Sequence, residues 1–207
     1  MKTRTTNFAL TLLLLLSLLP CAAAQMIVLT PEKAADAKKY TKLRLNYAKS
    51  KNYNPYDREY RKAEEKAWRM FKDEKKQQEA LDEIEPFLKK NPYCISLLQT
   101  KAAMLREMGR TSEADKARQA WFGVLNSIMA SGDGMSYQTA IHVIDVTEEY
   151  DVLGVREWER LKQVLVTHNG CRYDVLTVKD MNKPEAEPFD VFFNVDIPFR
   201  SIRKNRK

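Results

Sequence analysis

The sequence predicts an α+β protein, with N-terminal helical hairpins of tetratricopeptide type packed with a small C-terminal antiparallel β-meander. Three observations predict it. An offset of 34 residues lays Met70-Phe71 over Met104-Leu105, Glu79-Ala80 over Glu113-Ala114 and Phe87 over Trp121, and 34 is the period of that helical repeat. Ser131-Gly132-Asp133-Gly134 then ends the helical pattern. Beyond it, Asn169-Gly170 joins two β-branched runs, the strongest short signal for a hairpin.

In chain order, the first element is an export signal. Lys2 and Arg4 precede an apolar run from Phe8 to Leu19, Pro20 breaks it, and Ala22-Ala23-Ala24 supplies small residues for a signal peptidase. This order predicts a signal peptide over 1–24, cleaved between Ala24 and Gln25. The run is too short to span a bilayer, which needs about 20 apolar residues, and no later segment approaches that length. Lipidation at Cys21 is the alternative, against which Pro20 stands where a small residue is needed. The expected location is periplasmic or secreted.

Cleavage removes Lys2 and Arg4, so the formal charge falls from +7 to +5. The remaining chain is long enough for a real core and is expected to form one compact unit over 25–199. Arg200, Arg203, Lys204, Arg206 and Lys207 crowd a basic tail, 200–207, expected as a frayed, solvated end rather than a contact with anionic envelope polymer. Nucleic acid is not an expected partner, because no aromatic-plus-basic groove motif is present. An envelope protein, peptide or glycan is.

Within the helical repeat-like region, 25–130, the stretch Ala34 to Lys49 sets Tyr40, Leu43 and Tyr47 at helical spacing. Asn54-Pro55 interrupts it, and Asp57 is expected to start a second helix running through Trp68 and Phe71. In the repeat register Ala80 and Ala114 take the first-turn alanine, Pro92 the terminal proline and Gly109 the turn of the second unit. Trp68 falls on a small-residue packing position. Trp68, Phe71, Phe87, Leu105 and Trp121 are expected as core. Two such hairpins are marginal alone, so another element should cap them.

In the β-rich region, 131–199, Ile141 to Glu148 alternates as a strand. Leu161–Thr167 and Arg172–Val178 flank the Asn-Gly turn, and Asp190–Ile197 reads as the last strand, after a loop near Pro184 to Pro188. The segment Gly154–Trp158 reads equally as a loop or a short helix.

The string Leu43-Arg44, Tyr47, Asn54-Pro55-Tyr56, Ser131-Gly132-Asp133-Gly134, Ser136, Thr139-Ala140, Val143-Ile144 and Glu148-Glu149-Tyr150 resembles a bacterial family catalogued as domain of unknown function 4919. Gln163, Tyr173-Asp174 and Phe193-Asn194-Val195-Asp196 fit the same pattern. The resemblance spans nearly the whole mature chain and implies fold and secretion, but no chemistry.

Among candidate contact residues, Ser131, Asp133 and Ser136 stand in a loop whose glycines let backbone approach a ligand or simply turn the chain. Tyr53 and Tyr56, around a rigid turn, either form a sticky surface for a peptide or sugar or staple the first helix to the sheet. Glu148 and Glu149, adjacent on the expected strand, would point to opposite faces and so not work as one acid/base pair. Cys94 and Cys171 are able to pair in an oxidising compartment if the fold brings them together. No catalytic, metal or cofactor motif is present, and a non-enzymatic interaction or scaffold role is expected. The alternative is an envelope hydrolase or metal-dependent enzyme centred on Asp133 with His142 or His168.

Overall fold

A computed structural model describes residues 31–204, and the side chains of 34–201. The expected signal peptide, its cleavage point between Ala24 and Gln25 and the alternative lipid site at Cys21 lie outside the described residues, as do positions 205–207.

Helix α1 (Pro31–Tyr47) opens on a proline, whose missing N–H is no loss in a first turn. The chain turns through Asn54-Pro55, and α2 (Glu59–Phe71) begins where the Asp57 carboxylate accepts the N–H of Glu59 at 3.0 Å. A short 3₁₀ turn, Glu74–Lys76, leads into α3 (Gln77–Lys90). The second hairpin is α4 (Ile95–Glu107) and α5 (Thr111–Met129). Gly109, at φ 73°, takes the left-handed position after α4, and the N–H of Arg110 reaches back to the Leu105 carbonyl at 2.9 Å. Helix α2 packs on α3 and α4 on α5, while α1 lies along α5 and closes the stack that two hairpins leave open.

Small residues set how closely these helices approach. Ala67 and Ala80 are wholly buried where α2 meets α3. Trp68 departs from expectation: Ala67 takes the packing position, and Trp68, about 100° further round the helix, is 36 % exposed with its edge against Phe71. Phe71 and Leu105 are in the core, and Phe87 and Trp121 pack half-buried against it. Between α1 and α5 a side chain smaller than alanine is required. A Cβ on Gly123 would stand 2.1 Å from the Tyr40 ring.

The sheet runs in the order β1-β4-β3-β2, from β1 (Ile141–His142), β2 (Trp158–His168), β3 (Cys171–Asp180) and β4 (Phe189–Asn194). Strands β2 to β4 form the antiparallel meander, and β1 adds to it parallel to β4. Asn169 and Gly170 both have positive φ, 48° and 78°, as a two-residue type I′ turn requires. Leu176, Val178, Val191 and Phe193 are fully buried on the face that meets the helices.

Two stretches expected as full strands end early and run into helices. The run Ile141 to Glu148 is strand only at Ile141–His142, and Thr147–Arg156 forms helix α6. Asp145 Oδ1 accepts the N–H of Thr147 at 2.9 Å and its hydroxyl at 2.8 Å. Glu148 Oε2 reaches back to the N–H of Ile144 at 2.8 Å. Such an acid followed three residues later by glutamate satisfies the free donors of a helix start, and here it outweighs the β-branched pattern. The last strand stops at Asn194, short of Ile197, and α7 (Asp196–Lys204) follows. The basic end, expected as a frayed tail, is therefore helical as far as Lys204, with Arg200 ion-paired to Asp196. Among the described residues no helix is long and apolar enough to cross a membrane.

Candidate functional site

The glycine-rich loop binds to its own chain. A Cβ on Gly132 would lie 2.2 Å from the Thr139 carbonyl oxygen, and one on Gly134, at φ 76°, 2.8 Å from Val191 Cγ1. The Gly134 N–H donates to the Thr139 carbonyl and its carbonyl accepts from Phe192, each at 2.8 Å. Ser131 Oγ accepts from the His142 N–H at 2.8 Å and donates to the Ile128 carbonyl at 2.6 Å. Asp133 accepts from the Met135 N–H at 2.8 Å, and hydrogen bonding from the Thr139 side chain and then from this N–H holds its carboxyl below the usual range. Ser136 Oγ accepts from the Thr139 N–H at 3.2 Å. The close approach that the glycines allow is thus to Thr139 and Val191, inside the fold.

The two histidines do not extend that loop into a reactive group. His142 is exposed on β1, and His168 stacks on Tyr137 with ring centroids 4.1 Å apart. Among the described residues no hydrogen bond joins Asp133 to either histidine, and no group of three or more His, Cys, Asp or Glu is placed to hold a metal ion. Cys94 and Cys171, whose pairing the sequence leaves open, are both free thiols: Cys94 precedes α4, and Cys171 opens β3. Burial pushes the Cys94 thiol up to about 12, which makes it a poor nucleophile.

The tyrosines act as staples. Tyr53 Oη donates to the Ile144 carbonyl at 2.5 Å, and its ring meets Tyr47 edge-on at 5.6 Å. Tyr56 Oη donates to the Pro198 carbonyl at 3.2 Å, tying the turn after α1 to α7.

These staples surround a hub of buried charge at the start of α6. Arg44 of α1, 3 % exposed, donates to both oxygens of Glu148, 4 % exposed, at 3.2 and 2.5 Å, and to Ser127 Oγ of α5 at 3.1 Å. Glu149 is wholly buried, and neither carboxyl oxygen has a hydrogen-bond partner. Burial, with the charge of Asp174 beside it, pushes Glu149 up to about 9. It is therefore a neutral acid at pH 7 beside Asp174, which accepts from Gln163 Nε2 at 2.9 Å. Arg44, Glu148, Glu149, Gln163 and Asp174 all belong to the string that carries the family resemblance. The carboxylates on successive positions were expected on opposite faces of a strand; a helix start instead buries both, one against a cation and one against an acid.

On the outer side of α6 a cleft of about 380 Å³ opens between α2, the start of α4 and α6. Trp68, Tyr60 and Tyr150 line it together with Asp151, Glu65 and Ser96. Tyr150 is 44 % exposed and is held by Arg160, whose guanidinium bonds its hydroxyl at 3.0 Å and lies 5.3 Å over its ring. Burial, with Glu148, Asp145 and Glu64 nearby, pushes Asp151 up to about 7, so that it exchanges a proton near neutrality. Of the candidate residues drawn from the sequence, Cys94 alone lines this cleft. Trp68 is expected in the core and Tyr150 at a strand end, and Asp151 carries no expectation. The missed signal was the helix start at Asp145, which turns these two residues to one side of α6.

A stack of helical hairpins over one face of a small mixed sheet, with a charged hub where they meet, defines an α+β protein. The chain belongs to the family described as a domain of unknown function, DUF4919, whose model matches residues 32–204. No curated protein and no solved structure matches it.

Proposed function

We propose that the protein is a non-enzymatic binding protein of the bacterial cell envelope, exported by the signal at residues 1–24, and that its ligand seats in the α2–α4–α6 cleft. One observation carries this reading. Trp68 and Tyr150 are large aromatics left 36 % and 44 % exposed in a concave site that also presents the carboxyls of Asp151 and Glu65. Aromatic faces beside hydrogen-bonding groups suit a flat, polar ligand, with ring stacking for affinity and the carboxyls for orientation. Envelope glycan fragments are the first class of ligand to test. The Ser131–Ser136 loop and the Tyr53–Tyr56 turn, engaged within the fold, hold the scaffold that carries the cleft.

Titration of the purified protein with soluble envelope glycan fragments, followed by tryptophan fluorescence and calorimetry, tests the proposal. Saturable binding that Trp68→Ala and Asp151→Ala each weaken by about tenfold or more is expected, since stacking on one aromatic contributes about 1 kcal/mol or more. Binding that both variants leave unchanged removes the cleft as the site. No binding of any fragment removes the glycan.

A further inference from the structure

Strand β2 is an outer strand, paired with β3 on one side only among the described residues. It is 11 residues long, and its centre is open on both faces: Val164 is 42 % and Leu165 52 % exposed. Such an edge presents free N–H and C=O groups, and folded proteins blunt edges with charges and bulges. The first half of β2 has both devices, since Glu159, Arg160 and Lys162 are charged and the register shifts between Arg160 and Lys162. The second half has neither. Gln163-Val164-Leu165-Val166-Thr167 is uncharged, regular and of high strand propensity.

The turn determines which backbone groups are free. His168 faces Cys171 across Asn169-Gly170, and the pair flanking such a two-residue turn exchanges both backbone hydrogen bonds. By the alternation of an antiparallel ladder, Val166 and Val164 then turn their backbone groups toward β3, and Gln163, Leu165 and Thr167 turn theirs outward.

We propose that the protein forms a two-fold homodimer by antiparallel pairing of this half of β2 with its copy, Leu165 opposite Leu165. The pairing joins two four-stranded sheets into one. In this register Gln163 faces Thr167 through outward backbone groups, and Val164 faces Val166 on the opposite side of the sheet. Lys162 falls opposite His168 at each end, and no acid or base lies between. A register centred on the first half sets the bulge and the paired charges of Arg160 and Lys162 against their copies, which opposes pairing there. Any extended peptide supplies the backbone bonds. A second copy also supplies the apolar match on both faces at once. The dimer does not involve the α2–α4–α6 cleft, and neither proposal depends on the other.

Sedimentation velocity of the purified protein over rising concentration tests the dimer, with far-UV circular dichroism and thermal melting as controls for folding. The unmodified protein is expected to sediment as a dimer. Leu165→Lys brings two ammonium groups together on the axis and is expected to weaken association by about tenfold or more. Its dichroism should be unchanged, since Leu165 is half exposed. Under mild oxidation Leu165→Cys is expected to give a disulfide-linked dimer, and Val155→Cys, 51 % exposed on α6, is not. If Leu165→Lys fails to fold, the cysteine pair decides alone. A protein that stays monomeric at its highest soluble concentration, a folded Leu165→Lys that still dimerises, or equal cross-linking at 155 and 165 overturns the proposal.

Discussion

Arg44 and Glu148 stand 104 positions apart in the chain and meet as a bidentate ion pair, at 3.2 and 2.5 Å, with both side chains buried. The pair locks α1 to α6, and through Ser127 to α5, so the helix that closes the helical stack is tied to the helix that joins β1 to β2. Removing one member of such a pair leaves a bare charge in the core. Glu148→Gln is therefore expected to lose about 3–5 kcal/mol in a urea titration. Replacing both, as Arg44→Met with Glu148→Leu, should recover most of that loss. It should not recover all of it, because the Ile144 N–H then lacks its acceptor.

Glu149 makes stability depend on pH in a direction opposite to that of an ion-paired carboxylate. In the unfolded chain a glutamate titrates near 4.3, whereas in the fold Glu149 is pushed up to about 9. Between these values the folded state binds more protons than the unfolded state, so stability falls as pH rises from about 4 toward 9. Glu149→Gln keeps the shape and has no proton to lose. It is expected to be more stable than the parent by a few kcal/mol at about pH 8, with little difference near pH 4. Thermal melts of the two proteins across that range check the slope, and parallel curves would show that Glu149 is not the group responsible.

What the sequence made legible was local. The repeat offset found both hairpins, Gly109 the turn of the second, and Asn169-Gly170 the β2–β3 connection, because each turn signal lies within a few residues of the structure it creates. The start of α6 was also local, but two signals competed there. The β-branched residues of 141–147 argued for a strand, and Asp145 with Glu148 argued for a helix start, which prevails once Arg44 holds Glu148 in place. Arg44 enters the sequence reading only as part of the family string, with no partner assigned. Its partner is set by the packing of α1 on α5, which no short pattern encodes. The cleft was hidden for the same reason. Trp68, Ser96 and Asp151 come from three helices, and a one-residue rotation in α2 decides whether Trp68 is core or surface.

The α1–α5 contact depends on the absence of a side chain. Gly123→Ala places a methyl group 2.1 Å from a Tyr40 ring carbon, so the ring or the whole of α1 must shift. Alanine favours helix over glycine by roughly 1 kcal/mol, but overpacking costs about 1–3 kcal/mol, and the net effect is expected to be destabilising. Adding Tyr40→Ala removes the obstruction. In a double-mutant cycle by urea denaturation, Gly123→Ala should stabilise the Tyr40→Ala protein while destabilising the parent. A loss of equal size in both backgrounds would show that the ring is not the cause.

The Ser131–Ser136 loop provides a comparable separation of structure from ligand. Gly134 lies at φ 76° with Val191 Cγ1 2.8 Å from where a Cβ would sit. An L side chain there adds about 1 kcal/mol or more of backbone strain to a core contact. Gly134→Ala is therefore expected to cost about 2–4 kcal/mol in thermal or urea unfolding. Asp133 sits on the outside of the same turn and bonds one local N–H, so Asp133→Ala should cost about 1 kcal/mol or less. If the loop only builds the corner between α5 and β1, neither substitution changes ligand affinity in the α2–α4–α6 cleft once the protein is folded. An Asp133→Ala protein that keeps its stability and loses ligand binding would return the loop to the functional surface and remove the cleft as the sole site.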